Sequence, residues 1–379
     1  MSYFRRVSFF VLVIIFFLSG CPGQPNDDII VNDSVEIDWA VNAKKAFQSL
    51  MEIYWDENRS LFYSDNTGNT DLNYWWQAHG LNALVDASLR VGDNRYYDLI
   101  GSFYDGINVV NNGFINDFYD DMSWMAIALI RTFDLTGEEK YLKTAKLLWE
   151  DIITGWNENN GGGIAWNKSM LYYKNTPSNA TAAILSFRLY QITQENKYLS
   201  MGEEIIFWLE KTLVDSISGL VWDGIGRNGG SEIDFSWLFT YNQGIYIGAC
   251  IEYYNIVQDE KWLTSALKTA DNALYSFRGN LNVLPDEGEG DGGLFKGIFI
   301  RYLKLLTDQD YLEGSKYTEY SGFIRKNAEK LWEYGKSTEF PYLFNHDWIE
   351  SPTGATDLSV QLSGVILTES LASVEKNCN

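Results

Sequence analysis

Leu135-Thr-Gly-Glu-Glu-Lys-Tyr-Leu142 is a polar turn between two apolar-periodic stretches, and the chain repeats it. The other copies are Val91-Gly-Asp-Asn-Arg-Tyr96, Ile192-Thr-Gln-Glu-Asn-Lys-Tyr-Leu199, Val257-Gln-Asp-Glu-Lys-Trp-Leu263 and Leu306-Thr-Asp-Gln-Asp-Tyr-Leu312. Each carries acids suited to a helix start, followed by an aromatic that begins a new amphipathic run. The copies are roughly 45 to 65 residues apart, the length of one helical hairpin per repeat.

Two helix populations flank these turns. Segments ahead of them, near 75–91, 121–135, 179–192, 241–257 and 293–306, are apolar almost all round, as buried helices are. Segments after them, near 94–109, 139–155, 196–213, 260–277 and 311–334, place Lys and Glu on one face and apolar residues at i, i+3, i+4 and i+7. A leading outer helix near 36–54 and a last buried one near 356–374 complete six pairs. The expected fold is all-α: an (α/α)6 barrel of six inner and six outer helices, forming one domain over 35–379. A helical solenoid would have more uniform repeats and less uniformly apolar inner helices.

The first residues give an address. Arg5-Arg6 precede an apolar run from Val7 to Leu18, too short to span a bilayer permanently but suited to a signal peptide. The run ends in Leu18-Ser-Gly-Cys21, which looks like a lipobox. Residues 1–20 are therefore expected to be a lipoprotein signal peptide, Cys21 the lipidated residue, and 21–34 a flexible tether. The expected location is the bacterial outer membrane, on its cell-surface or periplasmic side, with the lipid anchor as the sole membrane contact and the chain a monomer. The formal charge is -22. Such a surface repels nucleic acid and anionic headgroups. Cys250 and Cys378 make no disulfide framework; a bridge between them is one alternative, and two solitary cysteines are the expectation. His79 and His346 lie far apart without partner cysteines, so neither a zinc site nor a Ser-His-Asp triad is expected.

In such a barrel the N-terminal ends of the inner helices surround one mouth. Those ends read Asn73-Tyr-Trp-Trp-Gln77, Tyr119-Asp-Asp121, Lys174-Asn-Thr-Pro-Ser-Asn179, Trp237-Leu-Phe-Thr-Tyr-Asn-Gln-Gly244, Asp291-Gly-Gly-Leu-Phe-Lys296 and Thr353-Gly-Ala-Thr-Asp357. Aromatic rings stack on sugar faces, and amide and carboxylate groups match hydroxyls at sugar edges. Trp75, Gln77, Asn175, Asn179, Tyr241, Asn242, Gln243 and Lys296 are therefore candidate carbohydrate ligands. Each also has a plainer role open to it: Trp75-Trp76 as core aromatics, Thr176-Pro177 as cap and first helical residue, Asn and Gln as caps. Gly161-Gly-Gly163 beside Trp166 suits either a flexible turn or a loop approached closely by a ligand. The loop Asp286-Glu-Gly-Glu-Gly-Asp-Gly292 raises calcium, but its glycines fall where an EF-hand needs oxygen ligands.

Asp120-Asp121 stand at the start of an inner helix. Adjacent carboxylates there suit capping and the helix dipole. They also suit glycoside hydrolysis, in which one carboxylate attacks while its neighbour carries the proton.

With Tyr241-Asn-Gln-Gly244 and Phe295-Lys-Gly-Ile-Phe-Ile-Arg-Tyr-Leu303 following the Asp pair in order, the chain resembles glycoside hydrolase family 76, the bacterial and fungal α-1,6-mannanases, from about Ala43 to Leu367. The resemblance implies an (α/α)6 fold, retaining cleavage of α-1,6-linked mannan, mostly endo, and no obligatory metal or other cofactor. It implies Asp120 as nucleophile, Asp121 as acid/base and Asp223, in Trp222-Asp-Gly224, as a sugar-binding aspartate. Two rivals remain. One is a lipid-anchored glycan-binding protein of an uptake system. The other is a different (α/α)6 glycosidase or lyase acting on acidic polysaccharide, which would call for cations at the mouth, where only Lys174, Arg227 and Lys296 are candidates.

Overall fold

The computed structural model describes residues 38–378. The expected signal peptide, the expected lipidation site Cys21 and the expected tether lie outside the described residues, as does the side chain of Cys378; Cys250 is a buried free thiol.

Twelve helices alternate between two layers among the described residues. The inner ones are α2 (Tyr74–Val91), α4 (Tyr119–Thr136), α6 (Thr176–Thr193), α8 (Thr240–Val257), α10 (Gly292–Thr307) and α12 (Leu358–Cys378). The outer ones are α1 (Trp39–Tyr54), α3 (Tyr97–Val110), α5 (Glu139–Ile152), α7 (Asn196–Leu213), α9 (Glu260–Ser276) and α11 (Gly314–Glu333). Each inner helix packs on the next, α2 to α4, α6, α8, α10 and α12, and α12 packs back on α2, closing the ring. The helical periodicity and the pairing thus match the expected (α/α)6 barrel. Small residues let the inner helices approach: a Cβ on Gly244 would meet the Phe299 backbone at 2.8 Å, and one on Gly297 the Ser363 backbone at 2.8 Å.

The repeated turn acts as a hinge between layers. Gly92, Gly137, Gln194 and Gln258 end four inner helices in the left-handed conformation, each returning its N–H to the carbonyl four residues back. An extended acid then opens an outer helix at Glu138, Glu195 and Asp259, and the Asp259 carboxylate caps the Lys261 N–H at 3.0 Å. These inner-to-outer turns are short. The outer-to-inner connections, 55–73, 111–118, 153–175, 214–239, 277–291 and 334–357, are long, and all six arrive at the N-terminal ends of the inner helices. Three of them carry two small antiparallel pairings, Trp55–Asp56 with Leu61–Phe62 inside one connection and Lys174–Asn175 with Gly224–Ile225 between two others. One barrel end is therefore tight and the other is built of loops.

Candidate active site

The loop-rich end holds a cleft of about 510 Å³, with Asp120 and Asp121 in its wall. Neither aspartate is the helix cap: Phe118 occupies that position without a side-chain capping bond, and the pair fills the first turn of α4. Their surroundings differ. Asp120 accepts the Asp121 backbone N–H at 3.0 Å and the Asn175 amide at 3.2 Å. Asp121 accepts the Asn116 amide, at 3.2 Å. Burial pushes Asp120 up to about 7, opposed by the Asn175 and backbone donors. Burial raises Asp121 well above the carboxylate range, and the charge of Asp120 adds to it, with a further contribution from Asp291. Negative charge faces both, Asp223 toward Asp120 and Asp291 toward Asp121, but Asp120 receives two donors and Asp121 one, so Asp121 is the better proton holder. Two adjacent groups of this kind titrate as a pair.

Asp223 comes from the long 214–239 connection and is buried beside the pair. Its Oδ1 accepts Tyr241 Oη and Asn242 Nδ2, both at 3.1 Å, and its Oδ2 accepts Tyr173 Oη and Arg227 Nη2, both at 2.9 Å. Burial raises its pKa and these four donors oppose the rise. Tyr241 stacks on Phe295 with ring centroids 3.9 Å apart and planes 3° from parallel. Arg227 lies 3.7 Å above the Trp237 ring while also pairing with Asp234 at 2.9 Å, which fixes that half of the rim.

Of the candidate ligands, Trp75, Asn175 and Tyr241 line the cleft with Asp120, Asp121 and Asp223. Asn242 sits behind them, fully buried, and holds Asp223. Gln77, Asn179 and Gln243 are corrections. Each is the fourth residue of its inner helix, and each clamps both backbone groups of one loop residue. Gln77 bonds Phe62 N and O at 3.0 and 2.8 Å, Asn179 bonds Ile164 N and O at 2.7 and 2.9 Å, and Gln243 bonds Val221 N and O at 2.8 and 2.8 Å. Their recurrence reflects loop docking, because a buried backbone pair demands one donor and one acceptor, which an amide supplies. Lys296 is also displaced from the expected role: it is buried, donates to the His346 carbonyl and lies 4.5 Å over Trp348. Lys174 is spent inside the protein, donating to the carbonyls of Asn157, Gly162 and Gly163 at 2.8, 2.7 and 2.5 Å. All three glycines of the triplet hold positive φ, and Cβ atoms on Gly162 and Gly163 would also strike Trp156 and Trp208.

The acidic 286–292 loop also works internally. Asp286 meets His346 Nδ1 at 2.7 Å, Glu287 accepts the Thr240 N–H at 2.9 Å, and Asp291 accepts the Trp75 and Trp76 indoles. Among the described residues no group of three or more His, Cys, Asp or Glu is arranged to hold a metal ion. Sequence reasoning gave no role to Asn116 or Asp291. Asn116 is invisible in a loop that shows no periodicity, whereas Asp291 was in view as the start of an inner helix.

A second cavity, about 680 Å³, extends toward the tight end of the barrel. Its charges are braced in pairs. Asp86 takes Arg131 at 2.6 Å and Arg301 at 2.7 Å, and Arg90 meets Glu369 at 2.9 Å; Arg188 of the same lining meets Glu252 at 2.7 Å. Burial opposes ionisation of Asp86, and the two arginines override it and hold its pKa low, so it is no proton donor. Glu369 is also raised to about 7, by burial working against Arg90, but it stands in an ion pair, whereas the cleft at the loop end holds two carboxylates side by side.

Comparison with known proteins agrees with this geometry. Residues 38–377 match the family model of Glycosyl hydrolase family 76. The fold matches an α-1,6-mannanase of Salegentibacter sp. at 40% identity and TM-score 0.85, covering 89% of this chain and 100% of that one. That relative is an inactive variant, changed at two consecutive aspartates, in complex with α-1,6-mannotetrose. The Lin0763 protein of Listeria innocua matches at 37% identity and TM-score 0.84, covering 90% and 99%. Among curated relatives, a mannan endo-1,6-α-mannosidase of Candida albicans is 27% identical over 74% of this chain and 67% of its own. A putative one of Schizosaccharomyces pombe is 25% identical over 64% and 61%, so this chain spans about three fifths of that relative's length.

Proposed function

The chain belongs to glycosyl hydrolase family 76, and we propose that it hydrolyses α-1,6-mannosidic bonds within mannan, with retention, using Asp120 as nucleophile and Asp121 as acid/base. The observation that carries this is the unequal pair: two adjacent carboxylates in an aromatic-lined cleft, Asp120 supplied with two donors and Asp121 with one while the charge of Asp120 faces it. The Salegentibacter relative supports it, since its inactive form is altered at two consecutive aspartates and holds an α-1,6-mannose oligosaccharide. In the first step Asp121 gives its proton to the leaving glycosidic oxygen while Asp120 bonds to the anomeric carbon. In the second, Asp121 takes a proton from water as that water's oxygen displaces Asp120. Asp223, positioned by four donors, is the candidate for holding sugar hydroxyls near the anomeric centre. Asp120→Asn and Asp121→Asn are each expected to lower kcat at least about 1000-fold with the circular dichroism spectrum unchanged. Turnover within tenfold of the parent in either variant would refute the assignment.

The anchor belongs to the same proposal. Arg5-Arg6, the apolar run and Cys21 support lipidation and an outer-membrane address. Among the described residues no helix is long and apolar enough to cross a membrane. Cys21→Ser should move the protein from the membrane fraction to the soluble fraction, and an unchanged distribution would count against a lipid anchor. We take the working unit to be a monomer, because the carboxylates, Asp223 and the aromatic walls all come from one chain.

A further inference from the structure

Asp291 stands just before α10, yet its Oδ1 accepts hydrogen bonds from two indoles at the start of α2, Trp75 Nε1 at 3.0 Å and Trp76 Nε1 at 3.2 Å. Helices α2 and α10 are not neighbours in the ring; α12 lies between them. The carboxylate therefore spans the rim of the cleft. Its loop is itself tied to the start of α12, since Gly290 N–H donates to Asp357 at 2.8 Å and Ser359 Oγ donates to the Gly290 carbonyl at 2.6 Å. Trp75 and Asp291 both line the cleft that contains Asp121.

We propose that Asp291 is a positioning residue for the hydrolytic reaction, which clamps Trp75 as a sugar-stacking wall and places a fixed negative charge before Asp121. The proposal rests on the assignment of Asp121 as acid/base. An indole pinned through its N–H keeps its ring orientation, so the wall is set before substrate arrives and less ordering is required on binding. The charge acts on the second requirement, that Asp121 keep its proton while Asp120 is ionised. The titratable groups facing Asp121 are Asp120 on its own helix, Asp291 from the α10 side and the buried Tyr74 phenol of α2, which donates to the Phe114 carbonyl. Asn116 is its neutral donor. Of these, Asp291 is the one whose charge can be removed without touching the catalytic pair.

Two variants separate the clamp from the charge. Asp291→Asn retains an oxygen that accepts indole N–H groups but loses the charge. The basic limb of kcat/KM against pH should move about half a unit or more to lower pH, with KM on α-1,6-manno-oligosaccharides within twofold of the parent. Asp291→Ala loses both, so the same limb shift should come with a KM raised about fivefold or more. A basic limb that stays in place in Asp291→Asn overturns the electrostatic role. An unchanged KM in Asp291→Ala overturns the clamp. If Asp121→Asn also proved active, the catalytic assignment would fall first, whereas an inactive Asp121→Asn with an unresponsive Asp291 defeats this inference alone.

Discussion

At the scale of single residues, the proposed chemistry turns on donors a few ångströms from two carboxylates. Asn175 serves twice: its Nδ2 donates to Asp120 at 3.2 Å and its Oδ1 caps the Ser178 N–H at 3.1 Å. Asn175→Ser keeps a capping oxygen and loses the amide donor. That donor favours the ionised form, so its removal raises the Asp120 pKa from a starting point of about 7. The acid limb of kcat/KM, which reports ionisation of the nucleophile, should therefore move to higher pH by roughly half to one unit. A limb that stays put or moves to lower pH would contradict this account of Asp120. The Asp pair, Trp75, Asn175 and Tyr241 were legible as cleft residues because their types and helix-start positions suit a sugar site, whereas Asp223, in a long connection, came only from the family resemblance. Gln77, Asn179, Gln243 and Lys296 look the same in sequence. Whether an amide reaches into the cleft or back to a loop depends on how the preceding loop folds, and no periodicity encodes that.

At the scale of elements, the inner helices share a device that binds the loops they follow. The fourth residue of α2, α6, α8 and α12 is Gln77, Asn179, Gln243 or Gln361, and each amide accepts from a backbone N–H and donates to a backbone carbonyl of the preceding connection. These bonds carry the loops that present the cleft, including the segment around Asp223. Gln243→Met keeps the size of the side chain and leaves Val221 N–H and C=O unpaired in a buried place. It should cost about 2 to 4 kcal/mol in denaturant unfolding. KM for a short manno-oligosaccharide should stay within twofold, since the side chain does not reach the cleft. A raised KM at parental stability would restore the sugar-contact role that the sequence suggested. Helix existence and order were readable from the repeated turn, and ends such as Gly92 and Gly137 followed from left-handed glycine caps. The long connections were not readable, because their fold is set by these tertiary clamps.

At the scale of the molecule, the (α/α)6 ring sorts its connections: tight turns at one end, six long loops at the other. The loop end holds an adjacent carboxylate pair that burial raises, and the opposite cavity holds ion pairs braced between helices, among them Glu369, which burial raises to about 7 against Arg90. Both are buried charge, but only the first is left with unequal partners, which is what acid–base chemistry requires. A chain with formal charge -22 and no free cation cluster in its cleft suits a neutral glycan better than an acidic one. The most direct test of the central claim is a proton NMR time course of the enzyme on linear α-1,6-mannan, following the anomeric signals of newly formed reducing ends. The account predicts α-anomers first, on a ladder of oligosaccharide lengths, with β-anomers growing in only by mutarotation. Initial β-anomers would contradict the double displacement through Asp120, and free mannose as the sole early product would contradict internal cleavage.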